Sequence, residues 1–81
     1  MEGITILIVE DDRIQNDVLA GFLRKEGYTV ISAYDLQEAE QRFDPTIDLV
    51  ILDVMLPDGS GLDFLHNIRL ISNVPVIVLT A

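Results

Sequence analysis

Three acidic residues in this 81-residue sequence come directly at the ends of apolar runs. Glu10 and Asp11 follow residues 4–9, and Asp53 closes residues 48–53. Both runs are rich in β-branched residues, which is typical of strands that are buried on both faces of a parallel sheet. If the two strands are neighbours, the three carboxylates crowd one pocket. One of them must then hold a proton, or a cation must neutralise the group.

The ligand types in this pocket favour a hard cation such as Mg²⁺, because the sequence has no cysteine and no histidine close to the acids. A carboxylate can also attack phosphorus and form an aspartyl phosphate, while a cation offsets the developing charge. Asp53 is placed for the nucleophile, since it ends a strand and faces a loop. Glu10 and Asp11 are placed to hold the metal. Thr80 ends the last strand on the same rim, where its hydroxyl can bond a phosphoryl oxygen.

The elements that must position these residues alternate along the chain. Apolar runs predict four strands, at 4–9, 28–33, 48–53 and 75–79. Ile14, Val18 and Phe22 recur every four residues in a first helix that Asp12 caps, and Asp35 caps a second helix. A third helix follows a predicted loop at 54–60. The order βαβαβαβ predicts one α/β domain over residues 1–81, with a doubly wound parallel sheet and helices on both faces. Ligands in such sheets bind beyond the carboxyl ends of the strands.

Charge and hydropathy exclude several classes of function. A net charge of −9 makes the chain a poor direct binder of nucleic-acid phosphates or of anionic lipid, and suits a cation or a basic partner. No apolar stretch approaches the length of a membrane span. The first residues lack the basic region of a signal peptide, so we expect a cytoplasmic protein without membrane contact.

Three runs of the sequence resemble bacterial response-regulator receiver domains of two-component systems. They are IVEDD at 8–12, LDVMLPDGSG at 52–61 and PVIVLTA at 75–81. The resemblance implies a flavodoxin-like fold with strand order 2-1-3-4 and a non-enzymatic phosphoprotein that receives a phosphoryl group from a sensor histidine kinase. The wording of the first two runs is similar to members whose effector is a winged-helix DNA-binding domain, which implies a role in transcription regulation through DNA contacts made elsewhere.

The resemblance also assigns roles to individual residues at the acidic pocket. It implies that Asp53 is the phosphoacceptor, that Asp11 binds Mg²⁺ directly and that Glu10 binds it through water. Asp53 itself and the backbone carbonyl of Met55 complete the implied metal shell.

Four further residues match positions around that pocket. The resemblance implies that Thr80 is a switch hydroxyl and that Ala81 is a small residue which leaves access to the phosphorylation site. Pro57 and Gly61 shape the loop after the phosphoacceptor.

The resemblance covers the given chain, whereas a complete family domain continues through a fourth helix, a fifth strand and a fifth helix. We therefore expect residues 1–81 to be the first two-thirds of a receiver domain. The missing part includes a lysine that clamps the phosphoryl group, and Lys25, on the first helix, cannot replace it. The fourth strand and one face of the first helix are then expected to be uncovered, which predicts a homodimer or higher assembly.

Other functions stay open on the sequence alone. A flavodoxin-like FMN module needs a phosphate-binding loop rich in Ser, Thr or Gly, where this chain has Glu10, Asp11 and Asp12. A phosphatase with an aspartyl nucleophile resembles a DxD motif, where this chain has Met55 as the third residue. A third alternative is a receiver fragment without activity, which the missing lysine favours.

Overall fold

Four parallel strands form the centre of the molecule, and across the sheet they lie in the order Thr29–Ala33, Thr5–Val9, Leu49–Asp53 and Val76–Leu79. The structure is a computed structural model and describes residues 3–79. Its elements in chain order are β1 (Thr5–Val9), α1 (Arg13–Lys25), β2 (Thr29–Ala33), α2 (Leu36–Arg42), β3 (Leu49–Asp53), β4 (Met55–Leu56), β5 (Gly59–Ser60), α3 (Gly61–Arg69) and β6 (Val76–Leu79). The strand at β6 is the fourth of the predicted strands. The predicted α/β class and the strand order 2-1-3-4 are therefore confirmed.

The register of the two central strands places the acids at one edge. β1 and β3 are parallel neighbours, and their pairing runs from Ile6 with Leu49 to Val9 with Leu52. Residues that follow Val9 and Leu52 consequently leave the sheet side by side at its carboxyl edge. This register fulfils the geometric condition for the predicted carboxylate pocket.

Helices cover the sheet on both faces, as predicted. Successive side chains of β1 alternate between two cores, because neighbouring residues of a strand point to opposite faces. Ile6 and Ile8 pack on the side of α1 and its Ala20. Leu7 and Val9 pack on the other side, against Phe64 and other residues of α2 and α3. A strand that is buried on both faces explains the continuous apolar run in the sequence.

Short polar side chains begin each helix. Asp12 accepts a hydrogen bond from the Gln15 backbone N–H at 3.1 Å. Asp35 accepts one from the Glu38 N–H at 2.7 Å. Both caps agree with the sequence prediction, and each satisfies a backbone donor that has no partner within its helix.

None of the described helices is long enough and apolar enough to span a bilayer.

Residues 54–60 form a small antiparallel hairpin, β4 and β5, where the sequence predicts only a loop. Pro57 and Asp58 make its two-residue turn, and Gly59 follows with a positive φ of 155°. The Asp58 carboxylate accepts hydrogen bonds from the backbone N–H groups of Leu36 at 2.7 Å and Gln37 at 3.1 Å. Such a pairing could not be read from the sequence, because its strands are two residues long and Asp58 bonds to a distant helix.

The apolar stripe of α1 that is most regular in the sequence does not face the sheet. Ile14, Val18 and Phe22 are 77%, 68% and 60% exposed. Residues one or two positions further along the chain, Ala20 among them, make the buried contacts instead. The periodicity correctly predicts a helix, but it cannot tell which of two apolar stripes meets the sheet.

An uncovered apolar face therefore extends from α1 across the sheet to β6. A cavity of about 410 Å³ opens on this face. We use the name uncovered face for the exposed stripe of α1, the exposed side of β6 and the lining of this cavity, namely Ile14, Val18, Phe22, Ile4, Ile6, Leu23, Tyr28, Leu49, Ile51 and Ile77. The expectation that the fourth strand and one side of the first helix are uncovered is confirmed for the described chain.

Candidate functional site

Glu10, Asp11 and Asp53 form the acidic pocket. Each contributes a carboxylate oxygen, and these oxygens all lie within 4.8 Å of one another. Asp11 is exposed, whereas Glu10 and Asp53 are half-buried. The pocket stands at the carboxyl edge of the sheet, where the register of β1 and β3 brings the ends of the two strands together. The structure thus unites the three acidic side chains that the sequence analysis selected.

The Glu10 peptide is anchored on both sides. Its N–H donates to the Ala33 carbonyl at 3.1 Å, which extends the pairing of β1 with β2 by one residue. Its carbonyl accepts a hydrogen bond from Asn16 Nδ2 at 3.0 Å. Its carboxylate Oε2 accepts one from the Asp12 N–H at 3.2 Å. These hydrogen bonds between protein groups hold the loop that carries Glu10 and Asp11 in place.

Crowding changes the proton affinity of Glu10. Burial raises the pKa of its carboxyl, the Asp12 N–H opposes the shift, and the carboxyls of Asp53 and Asp11 raise it further, to about 7 from an ordinary value of 4.5. Burial is the largest cause of this shift, and the neighbouring carboxyls add the like-charge contribution that the sequence analysis anticipated. A bound cation would have the opposite effect on the same group.

Asp53 is the last residue of β3, and the loop that follows it donates a hydrogen bond to its carboxylate. The Met55 backbone N–H donates to Asp53 Oδ1 at 3.1 Å, so the carboxylate turns back over the chain that follows it. The Met55 side chain is 73% exposed. This orientation is compatible with the expectation that only the Met55 backbone takes part in the site, while the role of its carbonyl stays a prediction.

Gly61 packs directly against the backbone at the end of β3. Its N–H donates to the Val54 carbonyl at 2.7 Å. A Cβ atom at this position would overlap the Asp53 carbonyl oxygen and approach Leu52 Cδ1 to 3.0 Å. Only a residue without a side chain fits so close to the backbone. Pro57, the other residue expected to shape this loop, lies in the turn between β4 and β5.

Of the two basic residues that could be considered for the pocket, Arg13 contacts an aromatic ring and Lys25 lies at the far end of α1. The Arg13 guanidinium stacks over the Tyr34 ring, with Cζ 4.1 Å from the ring centroid. Lys25 is the last residue of α1, about 20 Å from the start of that helix at 1.5 Å per residue. The prediction that Lys25 does not serve the phosphoryl site agrees with this position. Thr80 and Ala81 lie outside the described residues, so their expected roles stay predictions.

Asn16 is the site residue that the sequence analysis missed. It is completely buried, and it bonds to the loop that carries Glu10 and Asp11. An asparagine on the buried side of an otherwise apolar helix face is the signal that could have found it, because buried polar groups require partners.

Comparison with known proteins identifies the family. The sequence profile of the response regulator receiver domain matches residues 6–81. The chain belongs to the response regulator receiver domain family. Receiver domains are signalling modules of two-component systems. Among curated relatives, this receiver domain is similar to the transcriptional regulatory protein CpxR of Escherichia coli K12, with 45% identity over 76 residues. The match covers 94% of this chain and 33% of CpxR.

Solved receiver domains share the fold. The non-phosphorylated HemR receiver domain from Leptospira biflexa superposes with a TM-score of 0.94 at 39% identity, over 96% of this chain and 64% of that one. The response regulator protein TrrA from Thermotoga maritima, crystallised in complex with Mg²⁺ and BeF, gives a TM-score of 0.84 at 35% identity. That match covers 96% of this chain and 70% of the TrrA chain. The chain spans about a third of the length of the curated relatives it matches.

The raised pKa of Glu10 predicts a pH-dependent stability in metal-free buffer. The folded state holds the Glu10 proton up to about pH 7, while the unfolded chain releases it near 4.5, so this group makes the free energy of unfolding fall as pH rises across that window. We expect the Tm of Glu10→Gln to exceed that of the wild type by several degrees at pH 8 and to approach it at pH 4, below the pKa of the carboxyl in the unfolded chain. Thermal unfolding followed by circular dichroism in EDTA measures this, and parallel curves for the two proteins would contradict it.

The close approach at Gly61 predicts a site-specific cost for a single methyl group. Gly61→Ala should lower the free energy of unfolding by about 1–3 kcal/mol, because the added carbon meets backbone that cannot move freely. Gly21→Ala is the matched control. Nothing lies within 4 Å of a Cβ at that position in α1, so this change should stabilise the chain by about 0.5–1 kcal/mol. Urea denaturation of both variants decides, and equal stability of the two would refute the packing argument.

Proposed function

We propose that this receiver domain accepts a phosphoryl group on Asp53 from the phosphohistidine of a sensor histidine kinase, with Mg²⁺ held in the acidic pocket. The observation that supports this most strongly is the convergence of three carboxylates at the end of two neighbouring strands. A single exposed acid at a strand end has no such implication. Three of them in one pocket favour a bound cation as the means of offsetting their charge, and Asp53 is only partly buried.

The chemistry is a displacement at phosphorus. One carboxylate oxygen of Asp53 forms a bond to phosphorus, and the phosphorus–nitrogen bond to the kinase imidazole breaks. The electron pair of that bond leaves with the imidazole nitrogen, so the product is an acyl phosphate on Asp53 and a free histidine. The hydrogen bond from the Met55 N–H to Asp53 Oδ1 orients the carboxylate and leaves the other oxygen available for attack.

The residues that are present fit Mg²⁺. The pocket offers carboxylate oxygens only, and hard cations prefer such ligands. We propose that Asp11 and Asp53 bind the ion directly, that Glu10 acts through water and that the Met55 carbonyl completes the protein ligands. When bound, Mg²⁺ supplies positive charge that offsets the carboxylates and the oxygens of the transferring group. TrrA, a similar receiver domain, was crystallised in complex with Mg²⁺ and BeF, which supports the assignment.

The rival enzyme function has less support. An aspartyl phosphatase needs an acid two residues after its nucleophile, and Met55 occupies that position with its side chain turned to solvent. FMN binding is disfavoured because Glu10 and Asp11 stand where a flavin phosphate would need donors. An inactive receiver fragment is the remaining alternative, and the acceptor experiment below separates it from the proposal.

Regulation of transcription is the proposed output. CpxR and other relatives of this chain are transcriptional regulatory proteins by name, and the chain covers only about a third of each. We propose that DNA is bound by another domain and not by residues 1–81, because a net charge of −9 repels nucleic-acid phosphates. We propose that the protein is cytoplasmic, because a sensor kinase and DNA are both accessible from that compartment.

We also propose that two copies of this chain associate through β6 and the uncovered face. β6 is an edge strand whose Ile77, Val78 and Leu79 are 50%, 39% and 42% exposed. Unpaired edges and contiguous apolar surface recruit further chains. A second copy offers the same strand edge and the same apolar surface, which is the self-complementarity that a twofold dimer requires.

The acceptor role is tested with beryllofluoride, a phosphoryl mimic. The wild type should bind it in a Mg²⁺-dependent manner, as followed by fluorine NMR, and Asp53→Asn should abolish that binding because the amide is a poor ligand for beryllium and magnesium. Asp63→Asn, which removes one exposed acid from the first turn of α3, should bind as the wild type does. Unchanged binding by Asp53→Asn would show that Asp53 is not the acceptor. No binding by the wild type would favour the inactive fragment.

Self-association is tested by sedimentation velocity across a concentration series. The wild type should sediment as a dimer or larger assembly at micromolar concentration. Ile77→Lys places a charge on the exposed side of β6 and should shift the chain to monomer. Ile71→Lys is the matched control, because Ile71 is 69% exposed but lies after α3, outside the uncovered face. A monomeric wild type, or equal effects of the two substitutions, would contradict the proposed interface.

A further inference from the structure

Asn16 is the only polar or charged residue in the described part of the chain that is buried completely. It lies in the first half of α1, on the side that faces the sheet. Its Oδ1 atom has no hydrogen-bond partner among the described residues. An amide buried at such a position is unfavourable unless its hydrogen bonds contribute something that an apolar side chain cannot.

Both hydrogen bonds of Asn16 Nδ2 go to backbone carbonyls beside the acidic pocket. It donates to Glu10 O at 3.0 Å and to Ala33 O at 3.1 Å. Ala33 O also accepts the Glu10 N–H at 3.1 Å. One side-chain amide therefore holds the end of β1, the end of β2 and the start of α1 together, at the residue where the metal-binding loop begins.

The orientation of this amide is determined by its surroundings. Two carbonyl oxygens face the nitrogen, and both accept a hydrogen bond from it. If the amide were turned over, Oδ1 would point at these two acceptors and repel them. An isosteric leucine offers no donor, and an aspartate offers only acceptors. Asparagine is thus suited to this place by its two N–H groups and its length.

We infer that Asn16 is a positioning residue of the acidic pocket, which keeps the Glu10–Asp11 peptide in the conformation that binds the divalent cation. This inference rests on the proposed function, since the cation is the proposed Mg²⁺. Asn16 does not touch the metal. It acts by holding the Glu10 carbonyl, so that the carboxylates of Glu10 and Asp11 stay near Asp53 despite their mutual repulsion.

Preorganisation gives the inference its physical basis. Without a cation the acids repel one another, and a loop that is free to move relieves the repulsion by separating them. Cation binding must then also order that loop, and the free energy that this ordering costs lowers the affinity for the metal. Residues that orient metal ligands from behind typically change affinity by about 10–100-fold when they are removed. Asn16 occupies that place relative to Glu10 and Asp11.

The test is the Mg²⁺ dissociation constant of Asn16→Leu, measured by isothermal titration calorimetry on the full 81-residue chain at a temperature where it is folded. We expect Mg²⁺ to bind about 10-fold or more weakly than to the wild type. In metal-free buffer, amide hydrogen exchange at Asp11 and Asp12 should become faster. Asn16→Ser keeps a single hydroxyl donor, so its affinity should be intermediate. It also keeps the test available if the leucine variant does not fold.

Leu19→Ala is the control for a purely structural effect. Leu19 packs in the core beneath α1, and its apolar side chain cannot donate a hydrogen bond to the acidic loop. It should lower stability and leave the Mg²⁺ affinity unchanged. The inference is overturned if Asn16→Leu binds Mg²⁺ as the wild type does, or if Leu19→Ala weakens binding to the same extent. If the wild type itself does not bind Mg²⁺, the proposed function fails, and the inference fails with it.

Discussion

Repulsion between like charges governs the acidic pocket and explains how the loops around it are held. Parallel pairing of β1 with β3 brings Glu10, Asp11 and Asp53 into one pocket, with carboxylate oxygens within 4.8 Å of one another. In the metal-free chain the raised pKa of Glu10 relieves part of that repulsion. The domain therefore stores an unfavourable electrostatic arrangement at the edge where two-component chemistry would occur, and a divalent cation or a proton is the natural means of relieving it.

The backbone around the pocket is built to withstand this repulsion. Asn16 joins the ends of β1 and β2 to α1, and Gly61 lets the start of α3 approach the end of β3 without a side chain between them. On the other side, Asp58 ties the β4–β5 hairpin to the start of α2. These contacts come from separate parts of the chain. Together they hold the loops that carry the acids, of which Asp11 is exposed and Glu10 and Asp53 are half-buried.

The uncovered face is a second unfavourable feature of this fold, and it is apolar whereas the acidic pocket is charged. A sheet with helices on both sides hides most apolar side chains, yet α1 leaves Ile14, Val18 and Phe22 in solvent, and β6 leaves an unpaired edge. Apolar surface of this extent is unfavourable in water and favours association. The acidic pocket and the uncovered face thus give the chain two distinct kinds of unsatisfied interaction, one electrostatic and one hydrophobic.

The alternation of strands and helices, the parallel sheet, the helix caps at Asp12 and Asp35 and the three acids of the pocket were all predictable from the sequence, because they depend on hydrophobic periodicity and strand-end residues that are close together in the chain. Three features became visible in the fold alone: which stripe of α1 is buried, the hairpin within residues 54–60, and the hydrogen bond from Asn16 to the Glu10 carbonyl. Each of these depends on contacts between segments that are distant in sequence. Packing between these segments sets their geometry, and that packing cannot be predicted from a local pattern of residues.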